Sequence, residues 1–341
     1  MSGTELSQDA AGHVAQRLEA LAPLLAEGGR GIGGLKRLTG GASLETWAFD
    51  VESPDGLRAL ILRRRGDGEE AEVFETSLPL PIEARVLAAA QAAGAPVAEL
   101  VRDCGPGDGL GEAYIVTRVA GETLGRRIAA GTAFAPAREV LGRQCGETLA
   151  RIHAVSVEAM PDLEVQNAQD VIDRYADIYR KSSGPRPVME AALKWMQANL
   201  PEAVTPRLVH GDFRNGNLMV EADTGLTAVL DWELAHLGDP AEDFGWLCVN
   251  SWRFGVTDKR VGGFADLADL LAGYKAVGGE AVSVERVRFW EVVGTFKWAV
   301  ITMMMYQTFA TGASASVERA VIGRRLSECE VDLLALMEGA N

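Results

Sequence analysis

The sequence predicts an α+β protein built as two lobes, and three observations carry that reading. The chain has 341 residues, which at roughly 100–200 residues per domain accommodates two lobes and a sizeable core. Up to Thr117 the chain reads mainly as strands with one inserted helix, and after it mainly as helices. The helical part is interrupted once, around residues 208–230, by two short apolar pieces, RLVH and LTAVLDW, set among Gly- and Asn-rich turns. The expected division is residues 1–117 as the N-terminal lobe and 118–341 as the helical C-terminal lobe, with a hinge at 118–121.

Each element follows from a local pattern. Residues 13–27 repeat apolar side chains at spacings of three and four, which predicts an amphipathic helix closing at Gly28-Gly29. Thr46–Val51 and Leu57–Leu62 read as strands joined across Ser-Pro-Asp-Gly, hence an antiparallel hairpin. Pro81–Ala93, with proline at its start and Gly94 after its end, reads as a helix. Residues 113–119 give one more strand. Further helices are expected at Ala137–Ala154, Asp170–Tyr179, Val188–Asn199, Ala265–Ala276, Val284–Ala310 and Ser316–Met337. The most apolar stretch, Phe289–Ala310, is long enough to span a bilayer but contains Glu291, Lys297 and Gln307, so a buried helix is expected there.

Composition narrows the function. Hydrophobic residues at 48% and charged residues at 24% exclude a disordered chain. The net charge of −15 is spread over both lobes, which argues against nucleic acid and anionic membrane as partners. Cys104, Cys145, Cys248 and Cys329 lie far apart with no Cys-x-x-Cys spacing, which fits buried free thiols in a reducing compartment. The first residues, MSGTELSQDAAGHV, lack the basic and apolar regions of a secretory signal, so the cytoplasm is the expected location.

The chemistry is concentrated in His210-Gly-Asp212-Phe-Arg-Asn-Gly-Asn217, followed after a turn by Leu230-Asp231-Trp232-Glu233. Phosphoryl transfer from ATP needs one carboxylate to accept the proton of the attacking hydroxyl, plus oxygen ligands for Mg²⁺ bridging the phosphates. The spacing H-x-D-x-x-x-x-N is that of the protein-kinase catalytic loop, and the later Asp takes the place of the metal-binding one. A protein-kinase-like fold is therefore expected, with ATP and Mg²⁺ between the lobes.

HGDFRNGN with LDWE, then Gly238-Asp239-Pro240 and Asp243, resembles the aminoglycoside phosphotransferase/choline kinase superfamily of small-molecule phosphotransferases. Within it, the sequence looks closest to the branch sometimes fused to acyl-CoA dehydrogenases. The resemblance implies Asp212 as catalytic base, Asn217 and Asp231 as Mg²⁺ ligands, and Asp243 as a support behind them. It implies a small-molecule hydroxyl as acceptor, an aminoglycoside by the superfamily label or a hydroxylated acyl compound or other metabolic alcohol by the branch.

Upstream, the turn Leu38-Thr-Gly40-Gly41-Ala-Ser43 precedes the first predicted strand, and Gly40, Gly41 and Ser43 are candidates for contact with phosphate oxygens. The second strand ends Arg63-Arg64-Arg65 where a kinase has its phosphate-binding lysine. Strand alternation turns Arg63 and Arg64 to opposite faces, so only one can serve, and the motif selects Arg63. Glu83, near the start of the next helix, is its candidate partner. His210 is expected to brace its loop by hydrogen bonds to backbone, and His153, on an amphipathic helix, to be a satisfied structural histidine. Trp195, Trp290, Trp298 and Met303–Met305 are expected mainly in the core. Two rival functions stand beside the kinase. Glu233, His236, His210 and Asp212 could form a metal-dependent hydrolase site, and the arginine in place of lysine could mark a catalytically weak nucleotide-binding module.

Overall fold

Val14, Leu18, Ala22 and Leu25 recur along one face of helix α1 (Gly3–Leu25) and are fully buried. The structure is a computed structural model that describes residues 3–38, 44–66, 77–160, 162–182, 184–313 and 316–339. The chain separates into two compact units, Met1–Ala120 with Leu230–Leu234, and Gly121–Val229 with Ala235–Asn341.

The first unit is a five-stranded antiparallel sheet. Its strands are β1 (Gly31–Leu38), β2 (Glu45–Ser53), β3 (Gly56–Arg64), β4 (Leu100–Cys104) and β5 (Ala113–Thr117), in the spatial order β1-β2-β3-β5-β4. The predicted hairpin is β2–β3, with Thr46 opposite Arg63. Alternate side chains Trp47, Phe49, Val51, Leu60, Leu62 and Ile115 form one apolar face, which packs with α1. Each such buried side chain contributes roughly 1.5–3 kcal/mol. Helix α2 (Leu80–Ala92) packs on β4 and β5. Strands β1 and β4 were not expected from the sequence.

The second unit is mainly helical: α3 (Gly125–Ala130), α4 (Ala135–His153), α5 (Ala168–Ser182), α6 (Pro187–Ala198), α7 (Ala241–Cys248), α8 (Leu267–Ala276), α9 (Val284–Ala310), α10 (Val317–Gly323) and α11 (Leu326–Glu338). Two short antiparallel pairs interrupt it: β6 (Arg207–Val209) with β9 (His236–Gly238), and β7 (Leu218–Glu221) with β8 (Gly225–Val229). Helices α5, α6, α7, α9 and α11 share one core around Trp246, Trp290 and Phe296. Helix α4 crosses α8 at Gly146, where a Cβ would lie 2.0 Å from the Leu270 carbonyl oxygen, so only glycine permits the approach.

The long helix has the predicted limits. Ser283 caps α9, its hydroxyl accepting from the Arg286 N–H at 3.1 Å. Inside α9 the buried Glu291 is held by Arg253 at 2.8 Å and Arg260 at 2.5 Å. Among the described residues no helix is long and apolar enough to cross a membrane. One expectation is corrected: Ser316–Met337 is two helices, because the chain turns at Arg324 and Arg325 between α10 and α11.

Candidate active site

In the first unit the site is built on the alternation of β3. Leu60, Leu62 and Arg64 share the parity that faces α1, and Arg64 is buried with its Nε 3.6 Å from Glu45. Arg63 therefore takes the other face. Its Nη1 lies 3.3 Å from Glu83 Oε1, and its Nη2 donates to Asp231 Oδ1 at 3.0 Å. Tyr114, opposite Arg63 on β5, donates its hydroxyl to Glu83 Oε1 at 2.9 Å. One guanidinium thus spans two carboxylates, a task suited to arginine's rigid fork and not to the single nitrogen of lysine.

Burial pushes the Glu83 carboxyl above its usual range, although Arg63 and the Tyr114 hydroxyl pull it down. Burial also works against the Arg63 charge, but Tyr114, Glu83 and Asp231 outweigh it and the guanidinium stays protonated. Arg63 Nε is buried without a hydrogen-bond partner among the described residues. Asp231 has φ +68°, a left-handed conformation that costs a non-glycine residue of order 1–3 kcal/mol and that clusters at functional sites. Its segment is tied by the Leu78 N–H donating to the Glu233 carbonyl at 2.7 Å. The expected phosphate-contact residues Gly40, Gly41 and Ser43 lie outside the described residues.

In the second unit the loop 210–217 joins β6 to β7 and is pinned from beneath by Asp243 on α7. Asp243 accepts from the His210 N–H at 2.8 Å and the Gly211 N–H at 3.0 Å, and its Oδ2 lies 3.1 Å from His153 Nε2. The Nδ1 of His153 is 3.0 Å from the Tyr274 hydroxyl. Burial alone would raise the Asp243 carboxyl, but the bonds and charges of His153 and His210 hold it below the usual range. His210 Nδ1 accepts from the Asp212 N–H at 3.2 Å, so both histidines brace the loop. Gly211, at φ +76°, also offers its carbonyl to Lys297 Nζ at 3.2 Å.

The Asp212 carboxylate is held from three directions. Oδ1 accepts from Trp246 Nε1 at 2.6 Å and Arg214 Nε at 3.0 Å, and Oδ2 accepts from Asn217 Nδ2 at 2.6 Å. The same Asn217 nitrogen bonds the Asp212 carbonyl at 3.0 Å, while its Oδ1 takes no hydrogen bond among the described residues. Asp231 Oδ2 likewise takes none. Each is a hard oxygen donor of the kind Mg²⁺ prefers. The rival cluster does not assemble: His236 Nε2 is 3.2 Å from Glu242, and among the described residues no group of three His, Cys, Asp or Glu could hold a metal.

The model of the phosphotransferase enzyme family, APH, matches residues 34–279, which take in Arg63, Glu83, Asp212, Asn217 and Asp231. The chain belongs to this family. Acyl-CoA dehydrogenase family member 10 of Mus musculus is 27% identical over 198 residues, covering 56% of this chain and 18% of the mouse protein. Acyl-CoA dehydrogenase family member 11 of Gallus gallus is 25% identical over 301 residues, covering 82% of this chain and 38% of the chicken protein. The chain thus spans well under half the length of these relatives. A structure from Ralstonia eutropha JMP134, assigned as an aminoglycoside phosphotransferase, has 24% identity and a TM-score of 0.74, covering 96% of this chain and 98% of that one. Spectinomycin phosphotransferase, solved with ADP and spectinomycin, has 12% identity and a TM-score of 0.63, covering 94% of this chain and 98% of that one. These likenesses establish the kinase-like phosphotransferase fold.

Three residues that contact Asp212 or its loop were not anticipated: Arg214, Trp246 and Lys297. Arg214 lies two residues from Asp212, inside the motif itself. Trp246 stands three residues after Asp243, on the same face of α7, which is a signal the sequence contains. Lys297, within an apolar helix, reads only as an exception to membrane character.

Proposed function

We propose that this phosphotransferase is an ATP- and Mg²⁺-dependent small-molecule kinase that transfers the γ-phosphoryl group to an alcohol. The observation that carries the reading is the Asp212 carboxylate, fixed by Asn217, Arg214 and Trp246 on a loop whose backbone Asp243 anchors. Asp212 orients the acceptor hydroxyl and takes its proton as the oxygen attacks the γ-phosphorus in line. Arg63, steadied by Glu83, binds nucleotide phosphate oxygens. Asn217 and Asp231 hold Mg²⁺, which when bound neutralises phosphate charge. Gly40, Gly41 and Ser43 belong to the same nucleotide contact.

The acceptor in this reading is a hydroxylated acyl compound. The names of the curated relatives support it, whereas the solved neighbours suggest an aminoglycoside, which belongs beside it in an assay panel. The net charge of −15 supports a small-molecule partner rather than nucleic acid or an anionic membrane. Four free, buried cysteines support a cytoplasmic setting.

The test measures ADP formation from ATP across hydroxylated acyl compounds and aminoglycosides, with and without Mg²⁺. Acceptor-dependent turnover is expected, and Asp212→Asn should keep nucleotide affinity while losing about 10²-fold or more in rate. Asp231→Ala should lose the Mg²⁺ dependence of nucleotide binding. Nucleotide binding with no turnover on any acceptor would favour the binding module, and unchanged turnover in Asp212→Asn would remove the base from its role.

A further inference from the structure

Helix α7 aims two side chains at the catalytic loop. Asp243 takes the backbone N–H groups of His210 and Gly211, and Trp246, three residues on, donates its indole N–H to Asp212 Oδ1 at 2.6 Å. A carboxylate on a loop can rotate about its last bond, and a reacting atom displaced by about 1 Å can cost on the order of 10²-fold in rate. Asn217 fixes one oxygen of Asp212, and Trp246 at 2.6 Å with Arg214 at 3.0 Å fixes the other.

Behind Trp246 stands a buried cation. Lys297 Nζ lies 4.7 Å from the centre of the Trp246 ring and 5.7 Å from that of Tyr175. Its one hydrogen bond goes to the Gly211 carbonyl, and it forms no ion pair among the described residues. Burial disfavours an ammonium there, yet Tyr175 and the more distant carboxylates of Glu242, Asp212 and Asp243 hold it protonated. A cation over an indole face draws on the ring's electron density and makes its N–H a stronger donor. Lys297 thereby acts on Asp212 twice, through the indole and through the Gly211 peptide.

We infer that Trp246, backed by Lys297, is a positioning residue for phosphoryl transfer, holding Asp212 Oδ1 in the reactive orientation. This rests on the reading of Asp212 as the base. The experiment follows phosphate release from ATP and Mg²⁺, with water as the acceptor, for the full chain and for Trp246→Phe, Lys297→Met, Asp212→Ala and the double variant Trp246→Phe/Asp212→Ala. Trp246→Phe should lower kcat about 10- to 100-fold with KM for ATP within about twofold. Lys297→Met should act in the same direction, and Lys297→Arg should restore part of the rate. In the Asp212→Ala background, Trp246→Phe should have no further effect, because the oxygen it positions is gone.

Loss of the same size in both backgrounds would reduce Trp246 to packing and overturn the inference. So would wild-type kcat in Trp246→Phe alongside a collapsed Asp212→Ala, which leaves the base in place. An unaffected Asp212→Ala would overturn the base and the inference together. Should Trp246→Phe fail to fold, Lys297→Met decides: a wild-type kcat there overturns the inference, and a fall in kcat without a change in KM supports it.

Discussion

Removing the Glu83 carboxylate tests how the first unit holds Arg63. Glu83 is fully buried, 3.3 Å from Arg63 Nη1, and accepts the Tyr114 hydroxyl at 2.9 Å. Glu83→Ala deletes a charge-assisted contact of about 1.5–3 kcal/mol and orphans a buried hydroxyl at about 1–3 kcal/mol. Two effects offset this: the penalty of burying Glu83 itself is relieved, and Arg63 keeps Asp231 at 3.0 Å. The expected net loss is about 3 kcal/mol. Glu83→Gln leaves an oxygen for Tyr114, so it should lose about 1.5–2 kcal/mol, and the gap between the two variants isolates the hydroxyl. Urea unfolding followed by circular dichroism measures both. The folded carboxyl is raised, so its contribution is complete below the unfolded pKa and declines as pH rises through the folded value. Relative to the non-titrating Glu83→Gln, wild type should therefore lose stability from acid toward neutral pH. Glu83→Ala within about 0.5 kcal/mol of wild type, or a Gln variant as damaging as the Ala one, would refute the account.

Three further outcomes follow from the second unit and the thiols. Asp243→Ala strips the acceptor from two loop N–H groups and from His153, and should destabilise by about 3–5 kcal/mol in the same assay. Because the folded Asp243 carboxyl is depressed, its contribution is present above the unfolded aspartate pKa and fades as pH falls through the folded value, so wild type and variant should converge in acid. Burial pushes the Cys104, Cys248 and Cys329 thiols up to about 12 and raises Cys145 as well. A thiol-specific dye at mildly alkaline pH should label none of the four before unfolding and all four after it. Gly146→Leu forces a side chain into the Leu270 carbonyl and should cost at least about 1–3 kcal/mol, read as a lower urea midpoint.

How much of this was legible depends on whether a residue's neighbours in sequence are also its neighbours in space. The β2–β3 hairpin was readable because its turn chemistry is local, and α9 because Ser283 marks its start within one turn. The loop 210–217 was readable because Asp212 and Asn217 stand five apart and bond each other directly. Strand β1 escaped because GIGGLKRL has three glycines and no alternation, and β4 because LVRDC is short and polar. Helix α7 is buried on every side, which removes the amphipathic period that would reveal it. Arg63 could be matched to Glu83 by motif, but its second carboxylate, Asp231, lies 168 residues away, where no spacing rule reaches.

That separation has a consequence for biosynthesis. The five residues Leu230–Leu234, which carry Asp231 and the Glu233 carbonyl, complete a unit whose remainder ends at Ala120. At roughly 5–20 residues per second, a ribosome needs on the order of ten seconds to deliver them after that remainder has been synthesised. During that interval the nascent sheet carries Arg63 with one counter-ion instead of two and Leu78 with an amide still waiting for its acceptor. An N-terminal fragment ending at Ala120 would stay in that unfinished state, and a peptide spanning Leu230–Leu234 is the piece that could complement it.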